Sequence, residues 1–201
     1  KIIIAKDKWV MMMNFSEMKE TLAKRLSVKR FEHSLGVCEM ARRLALNFEI
    51  DLDKAMIAGL LHDCAREFSV TTLLNCAQEY NIKITALEKG HPILLHSYVG
   101  AKIAEMEYFV TDQEILRAIR LHTTAGEKMT KLDKIIYLAD AIEDGRSYAG
   151  VLELRAVAMV DLDEALLLTI DKSIQYLLKR KNIVHPDTIM ARNELILKLS
   201  D

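Results

Sequence analysis

Residues 59–67 read GLLHDCARE, with His62 and Asp63 side by side at the end of an apolar, helix-like segment that begins near Lys54. Ionisable side chains are costly to place there, so the pair needs a partner that compensates for burial. The same placement recurs on either side. His33 lies in KRFEHSLGV (29–37), His96 in LLHSYVGA (94–101), His122 in AIRLHTTAGE (118–127) and Asp140 in KIIYLADAIEDGR (134–146). A single histidine on a helix is ordinarily a surface residue or a hydrogen-bonded core residue. A set of imidazoles and carboxylates beside helical apolar stretches points instead to a metal centre.

Composition agrees with a helical chain. Of 201 residues, 51% are hydrophobic but only 6% aromatic, with 7 Gly and 2 Pro, which favours long helices filled by Leu, Ile, Ala and Met over strands and turns. The expected class is all-α. The length suits one domain with one substantial core. The formal net charge of -1 supplies no global positive field, which disfavours a nucleic acid polymer as partner. Cys38, Cys64 and Cys76 are an odd set without C-x-x-C spacing, each inside an apolar helical pattern, so they read as reduced core residues of a cytoplasmic protein.

The first residues, KIIIAKDKWVMMMNF, carry charges at Lys6, Asp7 and Lys8 and no long apolar run, which argues against a signal peptide or a membrane span. Residues 1–13 are read as an upstream segment or an addition foreign to the natural protein, and residues 14–201 as a single domain.

Helix signals follow one another along the chain. Asn14 to Glu17 resembles a capping box, and a second helix is expected from about Val28 to Phe48 with His33 in its first turns. Asp53 is read as the cap of a third helix that ends with His62 and Asp63. Ser69 or Thr71 opens another helix, with Asn81 as its stop. A loop holding Gly90 and His91 leads to Pro92, which suits the first turn of a helix carrying His96. Thr111 to Glu114 and Thr130 to Asp133 read as further capping boxes, ahead of His122 and Asp140. A long helix is expected over Asp163–Arg180, and His185-Pro186 opens the last one.

Adjacent residues on an ideal helix point about 100° apart. His62 and Asp63 can therefore serve one ion only at a helix end or irregularity, or Asp63 must reach toward a second ion. Nitrogen and carboxylate donors suit Fe, Mn, Zn, Co or Ni rather than Ca. Two such ions roughly 3.5–4 Å apart can share a hydroxide for phosphoester cleavage.

The order His33, His62-Asp63, Asp140 resembles the HD superfamily of helical metal-dependent phosphohydrolases. Together with NIVHPDTIMARN (182–193), the segments quoted above look like its YqeK-type branch, the bacterial symmetrical diadenosine tetraphosphate hydrolases. The match covers about residues 20 to 195. The resemblance implies an HD-domain helical bundle that cuts diadenosine tetraphosphate into two ADP by a metal-activated hydroxide. It implies one metal on His33, His62, Asp63 and Asp140, and a second on His96 and His122 with Asp63 bridging. Iron is the expected metal, in a one- or two-metal site, with Mn, Co, Ni and Zn as alternatives. The expected partner is a small-molecule dinucleoside polyphosphate; a homodimer is left open, and no membrane is implied.

Asp63, Arg66 and Arg146 are the expected catalytic residues. Arg66 and Arg146 also bind substrate by neutralising the polyphosphate, although Arg66 equally suits a helix-terminal cation and Arg146 an ordinary surface position. Thr123 and Thr124 are candidate phosphate contacts, or simply a helix-ending turn. His91 reads as a loop residue, and His185 and Arg192 as packing for the last helix. Two alternatives stay open: an HD-type nucleotidase acting on mononucleotides or nucleoside triphosphates, and a non-catalytic nucleotide-binding regulator.

Overall fold

The computed structural model describes residues 2–5, 8–11 and 13–200. Part of the segment read as upstream, residues 1, 6, 7 and 12, lies outside the described residues. Two short strands, β1 (Ile2–Ala5) and β2 (Lys8–Met11), pair antiparallel with Ile2 opposite Met11. From Phe15 onward every described element is a helix, so the class is all-α.

The helices are α1 (Phe15–Arg25), α2 (Val28–Asn47), α3 (Leu52–Leu61), α4 (Val70–Glu79), α5 (Ala86–Gly90) and, after a 3-10 turn at Pro92–Leu94, α6 (Leu95–Glu107). They continue with α7 (Gln113–Leu121), α8 (Lys131–Ile142), α9 (Val151–Ala158), α10 (Leu162–Lys179) and α11 (Pro186–Ser200). None is long and apolar enough to cross a membrane among the described residues.

Local chemistry sets these boundaries. Capping boxes start α1 at Asn14 and α8 at Thr130, as their sequences predict. The cap of α3 is Asp51, whose side chain accepts from the Lys54 amide, so Asp53 sits in the first turn rather than at the cap. Asp112 similarly caps α7, in place of Thr111. Asn81 takes a positive φ of 53° just beyond α4, the conformation that ends a helix.

Two helices were not expected: α5 falls in the stretch read as the loop before Pro92, and α9 in a stretch given no element. The five residues of α5, held by a capping box of Thr85 and Glu88, are too few to show a periodicity. Gly150 precedes α9 at a φ of 81°, a left-handed conformation that more often marks a helix end, which hides the start.

Helices α2, α3, α6, α7 and α8 pack around one large core that includes Val37, Leu44, Leu61, Val99, Ile119 and Ile136. A smaller core joins α8 to α10 and α11 through Tyr137, Leu166, Ile170 and Leu195. The crossing of α2 and α3 is tight because Gly59 has no side chain: a Cβ there would meet the Cys38 Cα at 3.0 Å and the Ala41 Cβ at 3.2 Å. This contact seats the last turn of α3, and with it His62, against α2.

Candidate metal centre

Five helices deliver the six residues singled out from the sequence. His33 comes from α2, His62 and Asp63 from the end of α3, His96 from α6, His122 from the end of α7 and Asp140 from α8. Helix α3 stops at Leu61 and the chain continues in tight turns, with the Cys64 amide on the Leu61 carbonyl at 3.0 Å and the Arg66 amide on the Asp63 carbonyl at 2.9 Å. That break lets two adjacent side chains face one centre. The C-terminal ends of α3 and α7 also direct their partial negative charge toward it, which favours a cation.

Each imidazole is oriented through Nδ1. His62, His96 and His122 use one device: Nδ1 lies against the carbonyl three residues earlier, Gly59 at 2.7 Å, Ile93 at 2.6 Å and Ile119 at 2.6 Å. A carbonyl only accepts, so Nδ1 donates and Nε2 presents its lone pair to the centre. His33 is held differently, with Nδ1 3.2 Å from the Glu143 Oε1, a carboxylate–histidine pair of the kind that supports metal ligands.

The inward-facing atoms converge. Nε2 of His33 lies 3.0 Å from Asp140 Oδ1 and 3.9 Å from Asp63 Oδ2. Nε2 of His62 lies 3.4 Å from Asp63 Oδ2 and 3.9 Å from Asp140 Oδ1. The other oxygen of Asp63 faces the second pair, at 3.3 Å from His96 Nε2 and 3.5 Å from His122 Nε2. Those two nitrogens are 3.2 Å apart, and Thr123 Oγ1 lies 3.1 and 3.0 Å from them. Asp63 thus turns one oxygen to each pair of histidines.

This donor set fits divalent metal. Nε2 of His33 and of His62 are buried without a hydrogen-bond partner among the described residues. Their lone pairs face carboxylate oxygens, and those of His96 and His122 face each other, an opposition of acceptors that a bound cation relieves. Burial works against ionisation of Asp63, but His62, His122 and His96 outweigh it and hold the carboxyl far below the usual carboxylate range. Asp140 behaves likewise, burial being outweighed by the neighbouring imidazoles of His33, His62 and His122, which hold its carboxyl below the usual carboxylate range. Burial pushes the His96 imidazole down, toward the neutral form that ligation requires.

Two guanidiniums stand on the two carboxylates. Arg146 donates to Asp140 Oδ1 at 2.7 Å and to the Asp140 carbonyl at 2.9 Å. Arg30, which sequence reasoning missed, donates to Asp63 Oδ2 at 2.8 Å. The one signal for it is its place one turn before His33, on the same helix face. Glu143 was equally hidden, three residues after Asp140.

The remaining expected residues are less central. Arg66 is half-buried just beyond Asp63 and makes no side-chain hydrogen bond or ion pair among the described residues. Thr124 directs its hydroxyl to the Ala125 carbonyl at 3.2 Å, while its own carbonyl accepts from Thr188 at 2.8 Å, contacts that tie the turn to α11. His91 is exposed at the 3-10 turn.

A family model described as "HD domain" matches residues 30–145, more than half of the chain. The chain is 36% identical over 184 residues to a Bacillus subtilis (strain 168) protein named "Bis(5'-nucleosyl)-tetraphosphatase, symmetrical", covering 92% of this chain and 98% of that one. A Staphylococcus aureus protein of the same name is 34% identical, covering 90% and 94%. Among solved structures, a Clostridium acetobutylicum protein described as a "predicted HD superfamily hydrolase involved in NAD metabolism" superimposes with a TM-score of 0.91 at 37% identity, covering 94% of this chain and 100% of that one.

Proposed function

This chain belongs to the HD-domain family, and we propose that it hydrolyses diadenosine tetraphosphate symmetrically, to two molecules of ADP, at the buried histidine–aspartate centre. The observation that carries this reading is the convergence of four imidazoles and two carboxylates whose metal-facing atoms have no better partner than a cation.

His33, His62, Asp63 and Asp140 would hold one metal ion, and His96 and His122 a second, with Asp63 shared between them, by the distances given above. Iron is our assignment, the donor set also admitting Mn, Co, Ni and Zn. A divalent metal bound there supplies Lewis acidity, making water a stronger nucleophile and drawing charge from the phosphoryl oxygens.

The protein's own residues do the rest. The carbonyls of Gly59, Ile93 and Ile119, with Glu143, keep every Nδ1 occupied and every Nε2 aimed inward. Arg30 and Arg146 place two guanidiniums at the carboxylates, where they neutralise the polyphosphate as charge builds on it; Arg66, close by on the turn after Asp63, adds a third cation. Thr123 sets a hydroxyl beside His96 and His122 that serves as a donor to a phosphate oxygen.

In the reaction the water oxygen bonds to one central phosphorus while the anhydride bond between the two central phosphates breaks. One ADP carries the new oxygen and the other keeps the bridging one. Chromatography of products from metal-loaded protein and diadenosine tetraphosphate in oxygen-18 water tests this reading. ADP alone is expected, with label on one of each pair of product molecules; AMP with ATP as the main pair would overturn it.

A further inference from the structure

Helix α11 supplies none of the six donors, yet it grips both segments that carry His96 and His122. The turn after His122 is the tighter case. Ala125 and Lys128 take φ values of 57° and 52° there, left-handed conformations that a residue with a side chain keeps only when its surroundings impose them. Arg117 imposes part of this from α7, donating to the carbonyls of Glu127 and Lys128 at 3.2 and 2.8 Å. The rest comes from α11. Thr188 donates to the Thr124 carbonyl at 2.8 Å, Glu194 accepts from the Lys128 amide at 2.8 Å, and Ala125 shares a buried cluster with Ala191 and Leu195. Thr188 and Thr124 are both buried, so water does not replace their hydrogen bond if the hydroxyl is removed.

The segment ahead of His96 is held from the same end of α11. His185 donates from Nε2 to Glu88 Oε1 at 3.0 Å and so fixes α5, which leads through His91 into the 3-10 turn. That turn presents the Ile93 carbonyl, on which His96 Nδ1 is oriented at 2.6 Å. The other donors are placed differently. Among the described residues, no hydrogen bond or ion pair joins residues 185–200 to α2, to α3 and the turn after it, or to α8, the elements that carry His33, His62, Asp63 and Asp140.

We propose, building on the two-ion reading given above, that α11 is a brace for the second ion alone: Thr188, with Glu194 and His185, sets the 3.2 Å approach of the His96 and His122 nitrogens, while the donors of the first ion are positioned without it. Thr188 is a positioning residue that acts through the Thr124 carbonyl on His122 and on Thr123, whose hydroxyl lies beside both nitrogens and moves with the same turn. Loosening α11 releases the second ion and leaves the first in place.

A chelator challenge of the cobalt(II)-loaded full chain tests this without relying on turnover, the cobalt lost per chain being counted at each chelator concentration. Two release steps are expected in the wild type, and the step missing from His96→Ala belongs to the second ion. Thr188→Val removes the hydroxyl and keeps the branched shape; it should weaken that step about five- to fiftyfold and leave the other within about twofold. Thr188→Ser, which keeps the donor, should restore the step to within about threefold, and Glu194→Ala should weaken the same step selectively. Equal weakening of both steps, a second step undisturbed in Thr188→Val, or no recovery in Thr188→Ser would overturn the proposal while the two-ion reading stands. A wild type that holds a single ion per chain would overturn both.

Discussion

Arg30 donates to Asp63 Oδ2 at 2.8 Å, placing a guanidinium on the carboxylate that turns one oxygen to each pair of histidines. The same oxygen is wanted by a metal, so Arg30 competes for Asp63 and is free to turn to phosphate once a cation takes its place.

Replacing Arg30 with Ala should therefore separate metal binding from turnover. Losing one charge-assisted contact in the transition state should lower kcat/KM for diadenosine tetraphosphate by about tenfold to a hundredfold, while metal affinity stays level or rises. Steady-state kinetics with metal analysis on the same samples checks this. Parallel loss of metal and activity would make Arg30 a structural support for Asp63.

Glu143 supports His33 from behind, and Gly36 on α2 leaves room for it: a Cβ on Gly36 would lie 2.7 Å from Glu143 Oε2. Glu143→Ala should weaken metal binding about ten- to a hundredfold, the usual cost of losing an outer partner of a histidine ligand. Gly36→Ala should produce a smaller loss in the same direction by pushing the carboxylate aside. Competition with a coloured chelator measures both, and unchanged affinity in the two variants would refute the supporting role.

The residues that converge on the centre stood out in the sequence because ionisable groups in apolar helical frames are conspicuous. Arg30 and Glu143 did not, since an Arg in a KR pair and a Glu in an ED pair look like ordinary surface charge. Only the one-turn spacing of Arg30 to His33 and Asp140 to Glu143 links them to the site, and that spacing matters only once α2 and α8 are known to pack together. The adjacency of His62 and Asp63 left two arrangements open; the end of α3 at Leu61 allows both side chains to face inward. Helices α5 and α9 escaped notice for local reasons, one too short for periodicity and the other preceded by a left-handed glycine.

Arg155 holds the loop that carries Arg146 through three carbonyls and never reaches the donor set itself. Arg155→Ala leaves those acceptors without their donor, which should cost about 1–3 kcal/mol and lower Tm by roughly 2–10 °C for a chain of this size. Hydrogen exchange should quicken in residues 143–150 while α2 and α3 keep their protection. Uniform loss of protection would mean that Arg155 stabilises the whole bundle rather than this loop.

Glu88 provides a pH test away from the metal centre. One oxygen accepts from Nε2 of His185 at 3.0 Å and the other from the Thr85 amide at 2.7 Å, joining α5 to the start of α11. Nδ1 of His185 accepts from the Asp187 amide at 3.1 Å, so the proton donated to Glu88 sits on Nε2. Burial raises the Glu88 carboxyl, but the bonds from Thr85 and His185 outweigh it and bring the pKa down from 4.5 to about 2. A folded-state value below the unfolded one means that this stability is complete above about pH 4.5 and is lost as pH falls toward 2. Glu88→Gln should thus lower stability by about 1–3 kcal/mol near neutrality. The gap in Tm between wild type and variant should close as the medium is acidified through that window, followed by thermal unfolding monitored by circular dichroism. A gap that stays constant down to pH 2 would show that the carboxylate's charge has no part in holding α11 in place.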